Sequence, residues 1–383
     1  MTRNLLGPIT TLGCFRHRTG DIRMHILQSA AAISFSRSYC CALPRPAPHR
    51  KMGKNKKSSV PPEEHLLLPQ HPGRPNPASA PIVDTHTHLL STYSFYRSKY
   101  KAGKYETVYE LVRALYEGRG VEAIVDVYCE ATEDNTWQEV ADSALTEEDR
   151  REKWGGLEYW FVMGVHPHEA KDYTDAIERK IIEAMSHPRC VGWGEMGLDY
   201  HYDNSPREVQ QNVFIRQLKH AVRLGKPLTI HTREAEEDSE RILKEHVPKD
   251  HRIHIHCYTD SPEWAARMLE HFPNLYIGIT GVITYSTNVN TSEVIRRMAA
   301  SSGAETPLRI LLETDAPFMT PSNIYDSLKG LKGRLPHSHS AMIPWTAEFV
   351  AGVADEAAPE GAGWDTLKVM RESRDNAKRM YGV

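Results

Sequence analysis

From Pro81 onward, short β-branched apolar runs alternate with stretches of helical periodicity. The runs fall at 82–84, 121–127, 160–165, 190–194, 227–230, 252–255, 275–279 and 308–312. Amphipathic segments such as 209–224 and 262–272 separate them. Strands that alternate with helices predict a parallel sheet, because a parallel pairing needs a crossover. Eight such units are the count of a (β/α)8 TIM barrel over residues 81–383, a fold whose chemistry sits at the C-terminal ends of the strands. A doubly wound open sheet is the alternative, and it would not be expected to set a polar signature after nearly every strand.

The strand ends therefore carry the argument. The first run leads into Asp84-Thr85-His86-Thr87-His88. Residues i and i+2 of a strand share a face, so His86 and His88 can hold one ion, with Asp84 a step deeper and able to orient an imidazole. The third run ends Gly164-Val165-His166-Pro167-His168, and the fourth Gly194-Glu195-Met196-Gly197-Leu198-Asp199-Tyr200. The fifth ends His231-Thr232-Arg233, the sixth His256-Cys257-Tyr258, and the eighth Glu313-Thr314-Asp315-Ala316-Pro317. His86, His88, His231, His256, Glu195 and Asp315 thus converge on one barrel mouth as a candidate metal site. An imidazole-rich set suits zinc or manganese better than an oxygen-only magnesium cage. Two ions about 3.5–4 Å apart need a bridging carboxylate, and Glu195 on the fourth strand is the natural candidate. Two divalent cations balanced by Glu195, Asp315 and a hydroxide leave the centre positive, which favours an anionic substrate such as a phosphodiester.

Composition narrows the picture. The chain has 383 residues, 40% hydrophobic, and a formal charge of −3, so it is no broadly cationic nucleic-acid coat. The cysteines show no CxxC spacing; Cys129, Cys190 and Cys257 lie in apolar runs and read as buried thiols. No apolar stretch is long enough to span a membrane. Residues 1–80 differ from the rest. Up to Val60 the acidic content is Asp21 alone, against many arginines and lysines, which resembles a mitochondrial transit peptide. The competing reading is a start at Met52, which predicts a cytoplasmic or nuclear protein. The proline-rich 61–81 reads as an extended linker.

The quoted strand-end blocks resemble the signature motifs of the TatD family, metal-dependent deoxyribonucleases of the amidohydrolase-like barrel superfamily, across roughly residues 80–383. The resemblance implies that His86, His88, Glu195 and Asp315 hold one ion, and Glu195, His231 and His256 the other (Zn, Mn or Mg). It places His166 near the substrate. Arg233, two residues past a candidate ligand, should face the same way and clamp a phosphate oxygen, its plainer alternative being a salt bridge to Glu234 or Glu236. The implied reaction is phosphodiester hydrolysis, trimming DNA from a 3′ end, with Asp315 as general base beside Glu195 and His166 in the catalytic set. Glu195 stands where related amide hydrolases often carry a modified lysine. Ester hydrolysis on a D-aminoacyl-tRNA is the enzymatic alternative.

Two departures are visible, one of them His254, a layer below His256, which is expected to support the donors or fill the core. Family members often carry Arg-Asn-x-Pro after the last strand, whereas this chain has Gly333-Arg334-Leu335-Pro336-His337-Ser338-His339-Ser340, which is expected to reshape the entrance. That region and the extension look most like a fungal branch named for binding a tetratricopeptide-repeat (TPR) subunit of the anaphase-promoting complex, which implies a possible role as an adaptor. After the first strand, Tyr93, Phe95, Tyr96, Tyr100, Tyr105 and Tyr109 mix with Arg97, Lys99, Lys101 and Lys104. Such a mixture suits single-stranded nucleic acid, or else Tyr105, Tyr109 and Tyr116 are simply the inner stripe of a helix.

Overall fold

A computed structural model describes residues 60–301 and 307–383. All eight expected strands form: β1 Ile82–Thr87, β2 Val121–Tyr128, β3 Glu158–Met163, β4 Cys190–Asp199, β5 Leu228–Arg233, β6 Ile253–Ile255, β7 Leu275–Ile279 and β8 Ile310–Leu312. They pair in chain order as one parallel sheet. The ring closes just beyond β8, where Thr87 bridges to Ala316, the His88 N–H donates to Ala316 O at 2.9 Å and the Asp315 N–H donates to His86 O at 2.9 Å. This is the (β/α)8 barrel. The closing bonds join the two residues whose neighbours carry the chemistry of β1 and β8.

The apolar runs read as strands because both faces are covered. Inward, Val83, Val125, Val127, Val162 and Leu311 pack into one cluster, which Met380 and Tyr381 of the last helix, Thr366–Tyr381, complete from the floor. That helix is capped by Asp365 and ends at Gly382 in the left-handed region, φ 82°. Outward, the strands meet helices such as Arg207–Arg223 and Pro262–His271. Cys129, Cys190 and Cys257 are buried and form no disulfide, as expected. Among the described residues, no helix is long and apolar enough to cross a membrane.

Two expectations are corrected here. Residues 61–81 are not an unpacked linker: Leu66, Leu68, Arg74 and Ala80 are all buried. Arg74 Nε donates to Ala80 O at 2.8 Å, and its terminal nitrogens donate to the carbonyls of Pro77, Arg119 and Gly120 at 2.7–3.1 Å. Its guanidinium thus ties the proline-rich segment to the chain just before β2. The aromatic segment also turns inward. Tyr96 is fully buried and donates to Glu63, Tyr100 donates to Pro61 O at 2.9 Å, and Tyr109 donates to Ser143 Oγ at 3.1 Å. These rings pack against the core instead of offering faces to bases. The targeting and alternative-start readings concern residues outside the described ones.

Candidate metal centre

Local geometry on β4 sets the centre of the site. Gly194 and Gly197 have φ of 153° and 152°, and a Cβ on either would overlap the β5 backbone at Thr229 and His231. Glycine at both positions lets β4 lie tightly on β5. The β4–β5 register slips between Gly194 and Met196, a bulge that aims Glu195 into the mouth. Asp315 lies in the left-handed region at φ 52°, held there by its bond to His86 O. A strained non-glycine residue of this kind is a functional-site signature.

Around Glu195 the expected residues come together. His86 Nε2 lies 3.3 Å from His88 Nε2, 3.4 Å from Glu195 Oε2 and 3.8 Å from Asp315 Oδ1. His88 Nε2 lies 3.8 Å from Glu195 Oε2 and 3.3 Å from Asp315 Oδ1. Donors about 2.1 Å from one ion sit about 3.0–3.5 Å apart for right-angled to tetrahedral arrangements, and the mutual spacings of His86, His88 and Glu195 come close to that range. The other carboxylate oxygen, Glu195 Oε1, lies 2.8 Å from His231 Nδ1, 2.7 Å from His256 Nε2 and 3.3 Å from His166 Nε2. One carboxylate therefore offers an oxygen to each of two donor sets. Glu195 Oε2 and both oxygens of Asp315 are buried with no hydrogen-bond partner. Buried anionic oxygens without donors are costly, and a divalent cation answers that need. The donor set fits a metal.

The electrostatics agree. Burial alone would raise the Glu195 carboxyl, but His256 and His166 beside it hold it well below the usual range. Burial likewise opposes Asp315, which the neighbouring imidazoles of His88, 3.3 Å away, and His86 keep low. Burial, reinforced by His256, pushes His86 down to about 3, so the ring is neutral and one nitrogen keeps a lone pair for a metal.

Supporting groups surround the donors. His88 starts the helix Leu89–Lys99 but points into the mouth, so Asp126 of β2 accepts the Leu89 N–H instead, at 2.8 Å. Asp84 does not orient an imidazole. It accepts the backbone N–H of His86 at 3.3 Å and of Thr314 at 3.0 Å, and the hydroxyls of Thr314 and Ser340 at 2.6 and 2.7 Å. It staples the end of β1 to the segment after β8. The stretch expected to shape the entrance is accordingly buried from His337 to Ser340, with His339 Nε2 at 3.1 Å from Leu66 O; Arg334 alone of its charges is exposed. Below His256, His254 pairs with Glu313 at 2.8 Å and with Tyr381 OH at 2.9 Å.

Asp199 and His168 were not singled out as site residues from the sequence. Asp199 Oδ2 lies 3.3 Å from His231 Nε2 and 2.9 Å from His168 Nε2. A carboxylate on the far nitrogen of His231 fixes the tautomer that leaves Nδ1 as the donor atom. Asp199 lies four residues beyond Glu195 on the same strand face, a spacing that could have flagged it. Arg233 ends β5 with its guanidinium 5.0 Å from the Tyr202 ring. Of its two expected partners, Glu234 pairs with His201 at 2.6 Å and Glu236 accepts from Ser261 N and Oγ at 2.6 and 2.7 Å.

An eight-stranded parallel barrel with a buried histidine–carboxylate centre at its C-terminal mouth defines the class of metal-dependent barrel hydrolases. Within that class, the chain belongs to the TatD related DNase family, which it matches over residues 83–382. It is 32% identical over 339 residues to the human 3′-5′ RNA nuclease TATDN2, a match covering 88% of this chain and 38% of that much longer protein. It is 31% identical over 199 residues to the 3′-5′ ssDNA/RNA exonuclease TatD of Escherichia coli strain K12, covering 51% of this chain and 73% of the relative. A TatD family hydrolase from Entamoeba histolytica shares the fold with a TM-score of 0.60 and 18% identity, over 79% of this chain and 98% of that one.

Proposed function

We propose that this chain is a metal-dependent phosphodiesterase that releases nucleotides from the 3′ ends of single-stranded DNA or RNA. It would use two divalent ions, one held by His86, His88, Glu195 and Asp315 and the other by Glu195, His231 and His256. The observation that carries this reading is the split of Glu195, whose two oxygens serve two donor sets. The related nucleases named above support nucleic acid as the substrate class. When bound, the ions would lower the pKa of a water and neutralise charge on the phosphate, and an imidazole-rich set favours zinc or manganese.

The chain's own residues supply the rest. Asp315 Oδ2, buried and without a hydrogen-bond donor, accepts the proton of the attacking water. The His168 N–H donates to His166 Nδ1 at 3.1 Å, so a neutral His166 carries its proton on Nε2, facing the centre. That N–H suits a phosphate oxygen better than a metal. Arg233 binds the phosphate at the rim. Water bonds to phosphorus, the P–O3′ bond breaks, the departing O3′ takes up a proton in place of the one given to Asp315, and a 5′-phosphorylated nucleotide leaves.

The test compares wild type with Glu195→Ala on 3′-labelled single-stranded DNA and RNA across divalent ions, with bound metal quantified. A loss of about 10³-fold in rate together with lost metal is expected. Equal rates in the two proteins overturn the mechanism. A fully loaded wild type that cleaves neither polymer points to another ester, such as a D-aminoacyl-tRNA. It would equally point to the adaptor role with a TPR protein that the fungal-branch resemblance suggests, which binding to an isolated TPR domain would test.

A further inference from the structure

The chain just past β4 is joined to the end of β5 beside the metal centre. The Tyr200 N–H donates to Arg233 O at 3.0 Å, and His201 Nδ1 lies 2.6 Å from the Glu234 carboxylate. Glu234 takes a left-handed backbone, φ 53°, a strained conformation for a residue with a side chain. Within this junction the Arg233 guanidinium stands over the Tyr202 ring, 5.0 Å from its centroid. Arg233 also lines an open cleft of about 750 Å³, so a ligand can reach it.

Tyr202 is itself held in place. Its N–H donates to Asp199 Oδ1 at 3.1 Å, beside the His201 N–H at 2.9 Å, a turn closed by an aspartate side chain. Its ring meets the His168 ring edge-on at 5.5 Å and 88°, and the His201 ring at 4.6 Å and 87°. His168 Nε2 lies 2.9 Å from Asp199 Oδ2, the atom that also sits 3.3 Å from His231 Nε2. Asp199 therefore holds Tyr202 with one oxygen and the ring of a metal donor with the other.

This arrangement suits an anion at Arg233. An aromatic face attracts a guanidinium through its quadrupole and accepts nothing in the guanidinium plane. The N–H groups of the fork lie in that plane, so the ring fixes the charge without taking those donors. A carboxylate would occupy them, as Asp203 occupies Nε and Nη2 of the nearby Arg207 at 2.9 and 3.3 Å. Resting on the nuclease reading above, we infer that Tyr202 is a positioning residue. Its ring is the plate that fixes the Arg233 fork for a phosphate of the strand, and Asp199 keeps this grip in register with the metal donors. The plate restricts a long side chain before the substrate arrives, so less freedom is lost on binding. Its removal is felt in substrate affinity and not in metal content.

The test measures calorimetric binding of thymidine 5′-monophosphate to the metal-loaded protein, and KM and kcat on 3′-labelled single-stranded DNA. Tyr202→Leu should weaken nucleotide binding and raise KM about 3- to 30-fold, the range of a cation–π contact, with kcat within about twofold. Tyr202→Phe keeps a ring of the same shape and should keep the wild-type values. In an Arg233→Ala background, Tyr202→Leu should add no further loss, because the plate has nothing to hold. Bound metal and the unfolding temperature show that site and fold are kept. A loss in Tyr202→Phe as large as in Tyr202→Leu overturns the inference, as does a Tyr202→Leu effect of full size without Arg233. Loss of metal in Tyr202→Leu, or a wild type that does not bind the nucleotide, overturns it too. Nucleotide binding is read without cleavage, so a protein that shows the Tyr202–Arg233 coupling but cuts no DNA fails the nuclease reading alone.

Discussion

Asp199 governs which nitrogen of His231 faces the metal donors, and it does so from outside the donor set. Its Oδ2 sits 3.3 Å from His231 Nε2. In Asp199→Asn, the amide oxygen stays with the backbone N–H groups of His201 and Tyr202, now bonded to Oδ1 at 2.9 and 3.1 Å. The amide N–H groups then face His231 Nε2, which becomes an acceptor, and the proton moves to Nδ1. Metal affinity of the set at His231 should fall by about 10–100-fold with the fold intact; titration with a competing chelator measures it. The same residue scale fixes a pH dependence of the metal-free protein. Burial pushes Asp84 up to about 7 and Glu313 up to about 8. Burial opposes charge on His88 and His231, but Asp315 in one case and Asp199 with Glu195 in the other hold both above the ordinary imidazole range. Between pH 6.5 and 8 each of these groups binds more protons folded than unfolded. The buried histidines His86 and His166, lowered to about 3, oppose this near pH 6.5, but above pH 7 unfolded histidines are mostly neutral too, so stability falls as pH rises from about 7 to 8. Denaturant unfolding in chelator should show the decline, and added zinc, which displaces the protons on His88 and His231, should flatten it. A metal-free protein that gains stability from about pH 7 to 8 contradicts this assignment of protons.

At the scale of elements, what could be read from the sequence depended on how local its cause was. Every strand was legible because a barrel strand is covered on both faces and so is apolar almost throughout, and the donors followed because chemistry sits just past those runs. The Asp199–His168 contact was not legible, since it joins the ends of β3 and β4 across 31 residues. The tyrosines after β1 looked suited to stacking with bases, and only the partners Glu63, Pro61 and Ser143 show that they are packed inside. Gly278 on β7 is a further case. It reads as a weak point in a strand, yet a Cβ there would overlap Glu313 Oε1 and His254 Nε2. Its lack of a side chain makes room for the pair beneath the donors, and Glu313 in turn accepts the Cys257 N–H at 2.5 Å. Cys257 follows His256 and sits at φ 45°, so this bond sets the direction of a donor. Gly278→Ala should cost about 1–3 kcal/mol by overpacking and weaken metal binding at His256, while Gly352→Ala, with open space at its Cβ, should do neither. Chemical denaturation and metal titration of the two variants separate the effects.

For the whole molecule, the barrel is secured at both ends by chain from outside it. Tyr381 closes the floor, donating or accepting at Thr229 Oγ1 over 2.7 Å and at His254 over 2.9 Å. Residues 60–81 brace the flank, where Leu66 O meets His339 Nε2 and Arg74 gathers four carbonyls. Because His339 adjoins Ser340, and Ser340 bonds Asp84 beneath the site, the brace is continuous with the staple between β1 and the β8 end. Arg74→Ala removes these four hydrogen bonds and leaves the buried Ala80 carbonyl without this donor, while Gly120 O keeps the Ile82 N–H, a loss of about 1–3 kcal/mol. The brace bonds Tyr96, Tyr100, Arg119, Gly120 and His339, none of them a metal donor, so its release need not disturb Glu195, His231 or His256. The expected outcome is a lower unfolding temperature and new protease cleavage confined to 60–81, with metal stoichiometry unchanged at 25 °C. Cleavage spread through the barrel, or loss of metal at that temperature, would show instead that the brace and the donor set fold as one unit.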